Sequence, residues 1–253
     1  VIIMKNKSEY IKFILPLLII FFWFIFTYTG KVPPTSLPSL SAVKDTFIEM
    51  LKSGQLSNDL SLSLRRVLAG FFISSVLGIS LGIFMGISSK AKEFFQLILT
   101  AIRQIPMIAW IPLIILWAGI GEVSKIVVIL FAATFSIVVN TMGGVDSTSE
   151  TYLEVAKMYG LSKKDTFFKV YLPSALPNIF TGLRLGLGAS WMAVVASELI
   201  ASSSGIGYRL NDARSLMRSD VVIVCMIIIG LVGLLMDKLI VLISHELTPW
   251  KKN

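Results

Sequence analysis

The sequence predicts an all-α membrane protein with six transmembrane helices, and three observations carry that prediction. Hydrophobic residues make up 55% of the 253-residue chain, and mean hydropathy is +0.81. Charged residues are only 15%, where soluble domains carry about 25%. Apolar runs long enough to cross a hydrocarbon core of about 30 Å, roughly 20 helical residues, recur along the chain. The same arithmetic removes other classes. Disordered chains are polar and poor in aliphatic residues, and the single cysteine, Cys225, has no partner in the chain for a disulfide framework. Lys plus Arg number 23 against 15 Asp plus Glu, a net charge of +8. These basic residues sit in small groups between apolar runs instead of forming one tract or face, so no nucleic-acid partner is expected.

In chain order the expected spans run from about Phe13 to Thr29, Leu62 to Ile87, Phe94 to Trp117, Val123 to Thr141, Ile179 to Ala201 and Val221 to Ser244. The first follows Lys5, Lys7 and Lys12 as a signal peptide would, but Thr27-Tyr28-Thr29 is a poor cleavage site, so a retained helix is expected. Two longer polar stretches remain, Lys31 to Ser61 and Met142 to Asn178. In the first, Leu40, Val43, Phe47 and Leu51 recur at helical spacing with Lys44, Asp45, Glu49 and Lys52 between them, and Gly54 follows. This reads as an amphipathic helix on the outer surface or against the bundle, stopped by the glycine. An even number of spans puts both termini on one side. A slight excess of Lys and Arg there favours cytoplasmic termini.

Within the spans, small residues mark faces where backbones approach closely. Gly78, Gly82 and Gly86 form one such stripe; Gly182, Gly186, Ala189, Ala193 and Ala196 form another, and Gly230 and Gly233 a third. The third span contains Pro106 and Pro112, each of which removes an intrahelical hydrogen bond. Arg103 and Gln104 precede the first proline. Together they read either as a pathway-lining segment or as a kinked packing helix with Arg103 reaching the headgroups. Ionisable residues inside spans are functional candidates by default. Arg184 and Glu198, fourteen positions apart, fall within roughly 40° of each other around a helix axis and about 21 Å apart along it. They point to the bundle interior or a partner subunit, or else belong to two separate structural ion pairs. His245 and Cys225 stand alone, without metal-ligand spacing.

The segment Glu150 to Asn178 is too polar to span. It contains Glu154-Val155-Ala156, Gly160, and Val170-Tyr171-Leu172-Pro173. Ser162 with Asp165 is a capping-box start, so two short helices around a glycine corner are expected, with re-entry into the membrane after Pro173 and Pro177. This pattern resembles the EAA loop of ABC importer permeases of the binding-protein-dependent, MetI-like type I family, with Val155 where the family usually has Ala. Further resemblance lies in Ser63-Leu64-Arg65-Arg66, in Arg103-Gln104-Ile105-Pro106 leading to Trp117-Ala118-Gly119-Ile120-Gly121-Glu122, in Gly182-Leu183-Arg184 to Trp191, and in Glu198-Leu199 with Gly205-Ile206-Gly207. These are similar to the branch that imports nitrate, taurine and aliphatic sulfonates.

The resemblance implies a type I permease fold, with an N-terminal helix and outer segment over 1–61 and a permease core over 62–253 whose coupling loop lies at about 142–178. It implies docking on a separate ATPase dimer through Glu154, Ala156, Tyr159, Gly160, Leu161, Leu172 and Pro173. It also implies an extracytoplasmic substrate-binding protein and a second permease copy, in a prokaryotic plasma membrane. Candidates for the translocation path are Arg103, Gln104, Pro106, Arg184, Trp191 and Glu198. No Walker A pattern occurs, so the chain itself binds no cofactor; ATP and Mg belong to the partner. Other members of the branch carry thiamine-precursor pyrimidines and other small solutes. An ATP-independent carrier or channel is the competing class, and it would leave the ordered polar loop unexplained.

Overall fold

The computed structural model describes the backbone of residues 2–30 and 32–250, with side chains from residue 14 onward, residue 31 excepted. The side chains of Lys5, Lys7 and Lys12, and residues Lys31, Lys251 and Lys252, which enter the orientation count, lie outside the described residues. Every regular element among those described is helical. In lipid a backbone must satisfy its own hydrogen bonds, and a helix does so within one segment. Contacts divide the chain into two compact units, residues 1–58 with 209–228, and residues 59–208 with 229–253.

In the first unit, α1 (Ile2–Tyr28) leads to α2 (Leu40–Lys52). The Trp23 indole donates to the Pro38 carbonyl at 2.9 Å. Ser39 caps α2 by accepting the Ala42 N–H, and Gly54 at φ +74 turns the chain beyond it. The buried face is Val43, Thr46 and Met50, while Leu51 is exposed. The expected stripe through Leu40, Val43, Phe47 and Leu51 is therefore rotated. A polar anchor sets the rotation, since the Thr46 hydroxyl donates to Asp220 at 2.6 Å. Arg218 also donates to Asp220, and the carboxylate holds that guanidinium above its ordinary pKa.

The second unit takes in most of α3 (Gln55–Ile87), then α4 (Ser89–Gln104), α5 (Met107–Ala118), α6 (Glu122–Asp146), α7 (Glu150–Met158), α8 (Lys163–Thr166) and α9 (Leu172–Ala201). The short α10 (Ile206–Ser215) and the long α11 (Ser219–Leu247) begin and end in different units. Four stretches are long and apolar enough to cross a membrane: α3, α6, the continuous helix Lys163–Ala201, and α11. Ile14–Tyr28 of α1 is a shorter apolar stretch among the described residues. The helices α4 and α5 pass the same test only when taken together, so the described residues hold four or five of the six spans expected. The proline-interrupted span expected from Phe94 to Trp117 is bent by 101° where α4 and α5 meet, as a broken span or a re-entrant loop is. The cause is Pro106, which excludes its predecessor from the helical region. Ile105 is extended at φ −81, ψ 122, and Pro106 starts α5 as its N-cap instead of kinking its interior.

Close packing centres on α6, which lies between α3 and α9. A Cβ at Gly70, Gly78, Gly82 or Gly86 of α3 would come within 2.5–2.8 Å of Ile129, Ile137, Thr141 or Val145 of α6. The pairs advance together, so these two helices run parallel with no side chain between them at the glycines. On the other side, Gly182 and Gly186 of α9 approach Ile137, and Gly144 of α6 approaches Ala175 and Asn178 of α9, the descending order of an antiparallel pair. The glycine stripes of the second and fifth spans are thus contact faces, as expected. Gly233 packs on Trp191, whereas Gly230 has nothing within 4 Å among the described residues. Large apolar side chains such as Phe72, Leu97 and Leu234 remain exposed, the surface a lipid-facing helix requires.

Candidate functional site

Three features of the second unit combine exposure or burial with chemistry. The first is the polar corner. Helix α7 ends in a Schellman motif: Leu161 N–H bonds the Ala156 carbonyl at 3.0 Å, Gly160 N–H bonds the Lys157 carbonyl at 3.0 Å, and Gly160 takes φ +65. Only a residue tolerant of the left-handed region fits there. Ser162 then caps α8, as expected, by accepting the Asp165 N–H at 3.1 Å, and its hydroxyl donates to the Asp165 carboxylate at 2.5 Å. The second short helix, however, is not separate. Lys163–Thr166 runs through a widened turn, Phe167–Tyr171, directly into α9. Pro173 sits in the first turn of α9, where its missing N–H is least needed, and the widened turn lies just before it. Pro177 is inside the helix. Both prolines thus lie within one helix, Lys163–Ala201, which also takes in the expected second short helix.

At the corner Ala156 is buried, while Glu154 is exposed and Tyr159 is 81% exposed. Tyr152, Val155, Ala156, Tyr159, Leu161 and Pro173 line a groove of about 510 Å³. Leu172 is half-buried at the start of α9. The corner is thus an exposed, glycine-turned element with an apolar groove, continuous with the helix that follows.

The second feature is buried. Arg66 of α3 donates from Nε and Nη2 to Glu122 at 2.7 and 2.6 Å. From Nη1 it donates to Glu198 at 2.6 Å and to the Ser204 carbonyl at 3.0 Å, and from Nη2 to Ser204 Oγ at 2.9 Å. All five guanidinium donors are thereby placed. Glu198 also accepts from Ser63 Oγ at 2.8 Å and from the Gly207 N–H at 2.9 Å. Lys125, itself buried, reaches Glu122 at 3.1 Å. The Gly205-Ile206-Gly207 stretch wraps this carboxylate: Gly205 has φ +104, and a Cβ there would lie 2.4 Å from the Glu198 carboxyl carbon. The network ties the starts of α3 and α6 to the end of α9.

The third feature is an ion pair between α9 and α11. Arg184 Nε and Nη2 donate to the two oxygens of Asp237 at 2.6 and 2.7 Å. Arg184 and Glu198, placed on one face by helical geometry, thus enter two separate ion pairs. Trp191, buried, donates its indole N–H to the Ile229 carbonyl at 3.0 Å and shares a small cavity with Arg184 and Asp237. Arg103, Gln104 and Pro106 are exposed at the bend between α4 and α5. Arg66, Glu122 and Asp237 are the functional candidates beyond those expected. Asp237 carries the signal that singles out Arg184, an ionisable residue in an apolar run. Arg66 lies at a span's beginning, where a basic residue reads as a topology signal.

Apolar helices long enough to span, packed through glycines and joined by one ordered polar corner, define a polytopic membrane protein. Residues 74–248 match the family described as binding-protein-dependent transport system inner membrane component, and the chain belongs to that family. It is a permease subunit of an ABC importer; ATP hydrolysis falls to a separate subunit, and the family works with a solute-binding protein. Among its relatives, SsuC of Bacillus subtilis, named for aliphatic sulfonates transport, is 37% identical over 95% of this chain and 87% of its own length. The nitrate import permease NrtB of Synechocystis is 38% identical over 74% of this chain and 68% of its own. A crystal structure of an amino acid ABC transporter superposes with a TM-score of 0.64 at 17% identity, covering 79% of this chain and 98% of that one. That likeness is one of fold. The family assignment sets aside the ATP-independent carrier.

Proposed function

We propose that two copies of this chain form the path by which a small oxyanion, such as an aliphatic sulfonate, taurine or nitrate, enters the cell. In this reading residues 62–253 are the permease core and 1–61 a preceding helix with an outer segment, in a prokaryotic inner membrane with both termini cytoplasmic. The binding protein delivers the solute from outside. A pair of ATPase subunits docks on the corner through Glu154, Ala156, Tyr159, Gly160 and Leu161, with Leu172 and Pro173 supporting it. Arg103, Gln104, Pro106, Arg184 and Trp191 border the path, and Glu198 holds its outer end together.

The observation that carries the reading is continuity. The corner opens directly into Lys163–Ala201, and Arg184 lies on that same helix, about 30 Å along its axis from Lys163. A displacement imposed at Gly160 is therefore carried towards Arg184 along one helix, through its widened turn at Phe167–Tyr171 and past Pro177, a means of coupling discrete packed states. The oxyanion assignment rests on Arg184 at membrane depth and on the sulfonate and nitrate named for the relatives.

The test uses the chain with its ATPase and binding protein in proteoliposomes. Gly160→Pro cannot adopt φ +65, and Glu154→Arg reverses the exposed charge. Each is expected to lower transport at least tenfold and to abolish stimulation of the ATPase by loaded binding protein, with membrane insertion unchanged. Gly160→Asn, which tolerates the left-handed region, is expected to retain most transport. Unaltered stimulation in both disruptive variants would overturn the docking assignment. Titrating the binding protein with sulfonates, nitrate and pyrimidines tests the cargo.

A further inference from the structure

Arg184 and Asp237 lie deep in their helices. Asp237 stands 18 residues after Ser219 and 10 before Leu247, and Arg184 stands 12 after Leu172 and 17 before Ala201, so each is about 15 Å or more from either end of its helix. Yet the side chains are 51% and 42% exposed. Charged groups with that exposure at that depth do not face hydrocarbon; they face a water-filled path or a second subunit. Two cavities adjoin Arg184, and Asp237 lines the smaller one. There Trp191, Gly188 and Gly233 bound about 30 Å³, room for a few waters at most. Around the larger, Thr181, Ser244, His245 and Thr248 contribute to the lining of about 240 Å³, enough for a small solute. Arg184 lines both.

We infer that Asp237 is a resident counter-anion for Arg184, which the transported oxyanion displaces, making Asp237 a determinant of affinity and release. The inference rests on the proposed role of Arg184 in the path. Its chemistry is like-for-like exchange. The carboxylate engages Nε and Nη2 through two oxygens, and a sulfonate or nitrate presents the same pair of coplanar acceptors. With the path empty, Asp237 cancels a charge that would otherwise stand uncompensated at membrane depth. With solute bound, Arg184 turns to the solute, and Asp237 is left in the hydrated cavity as a competitor that limits how tightly the anion is held. The two partners are also mechanically distinct. Arg184 is on the helix continuous with the corner, whereas Asp237 is on α11. A shift of α9 driven from the corner stretches or restores the pair and so alternates holding with release.

The experiment measures equilibrium binding of ethanesulfonate and of nitrate to the purified permease–ATPase complex, with the thermal midpoint of each protein. Asp237→Asn removes the competing charge and keeps the side chain's shape, so it is expected to bind at least one probe about tenfold more tightly than the parent. Transport by the full system should show a lower KM and a lower kcat, because release slows. Arg184→Gln is expected to lose binding of both probes. The exchange Arg184→Asp with Asp237→Arg rebuilds an ion pair and is expected to recover the midpoint without recovering parental affinity.

If Arg184→Gln weakens binding while Asp237→Asn leaves affinity unchanged or lower, the counter-anion inference fails and the reading of Arg184 survives. If Arg184→Gln binds as the parent does, the reading itself fails. An exchanged pair with parental affinity and kinetics would make the contact a structural tie, and absence of binding of both probes to the parent and to Asp237→Asn alike would remove oxyanions as the ligand.

Discussion

Replacing Glu198 by leucine is expected to lower stability by about 3–5 kcal/mol, the scale for leaving one partner of a buried ion pair uncompensated. Glu198 is fully buried and Arg66 nearly so, and the network closes only because each Arg66 donor has an acceptor. Without Glu198, one Nη1 donor and the Gly207 N–H lose their partner together, and the Ser63 hydroxyl keeps the Asp59 carbonyl at 3.2 Å. Glu122 is exposed enough for water to screen its attraction, so it does not make good the loss. A fall of about 10 °C in thermal midpoint follows from that free energy for a chain of this size. The single, buried Cys225 provides the readout, since a thiol-reactive fluorophore labels it only on unfolding. Glu198→Gln keeps the shape and one acceptor oxygen, and is expected to lose less. The double variant Arg66→Met with Glu198→Leu removes both charges and should recover part of the midpoint. If the double variant proves no more stable than Glu198→Leu alone, Arg66 is not the group that Glu198 compensates.

The membrane-spanning character of the chain was legible because it depends on run length and composition, which need no partner to interpret. The glycine stripe of α3 was legible for a related reason: residues four apart share a face whatever they pack against. The prolines show where local signals stop. Pro106 breaks the helix because Ile105 must go extended, but nothing in the dipeptide specifies a 101° bend. Pro173, the same residue type, breaks nothing, because a first-turn position and a widened turn absorb it. Helical geometry correctly placed Arg184 and Glu198 on one helix, yet not in one site. Their partners lie 53 and 132 residues away in sequence, a separation no periodicity reports. The Gly160 corner was the most legible part of the site, since its Schellman bonds and the Ser162 cap all fall within ten residues.

Gly82→Leu is expected to prevent α3 and α6 from packing at all. A Cβ at this position would already lie 2.6 Å from Thr141 Cβ and 2.8 Å from the Val138 carbonyl oxygen. Thr141 Cβ is fixed to its backbone whatever rotamer the side chain takes, and a backbone carbonyl in the middle of a helix cannot turn, so relief requires the helices to move apart. Separation is not local. Gly70, Gly78 and Gly86 make the same close approach along the same line, and α6 is held on its far side by Gly182 and Gly186 of α9, which leaves it nowhere to go. Between helices in lipid, van der Waals contact and hydrogen bonds are the main attraction, so the lost contacts are not replaced by a hydrophobic term. Overpacking in a close-packed core costs about 1–3 kcal/mol at an isolated site, and four linked approaches put this substitution at or beyond the upper end. The expected result is little folded protein recovered from membranes, or a midpoint about 10 °C or more below the parent. Gly230→Leu provides the contrast: nothing lies within 4 Å of its Cβ position, so the same change should leave the midpoint within about 2 °C. Equal losses in the two variants would mean that leucine harms insertion as such. Parental stability in Gly82→Leu would mean that α3 and α6 are not in contact through this face.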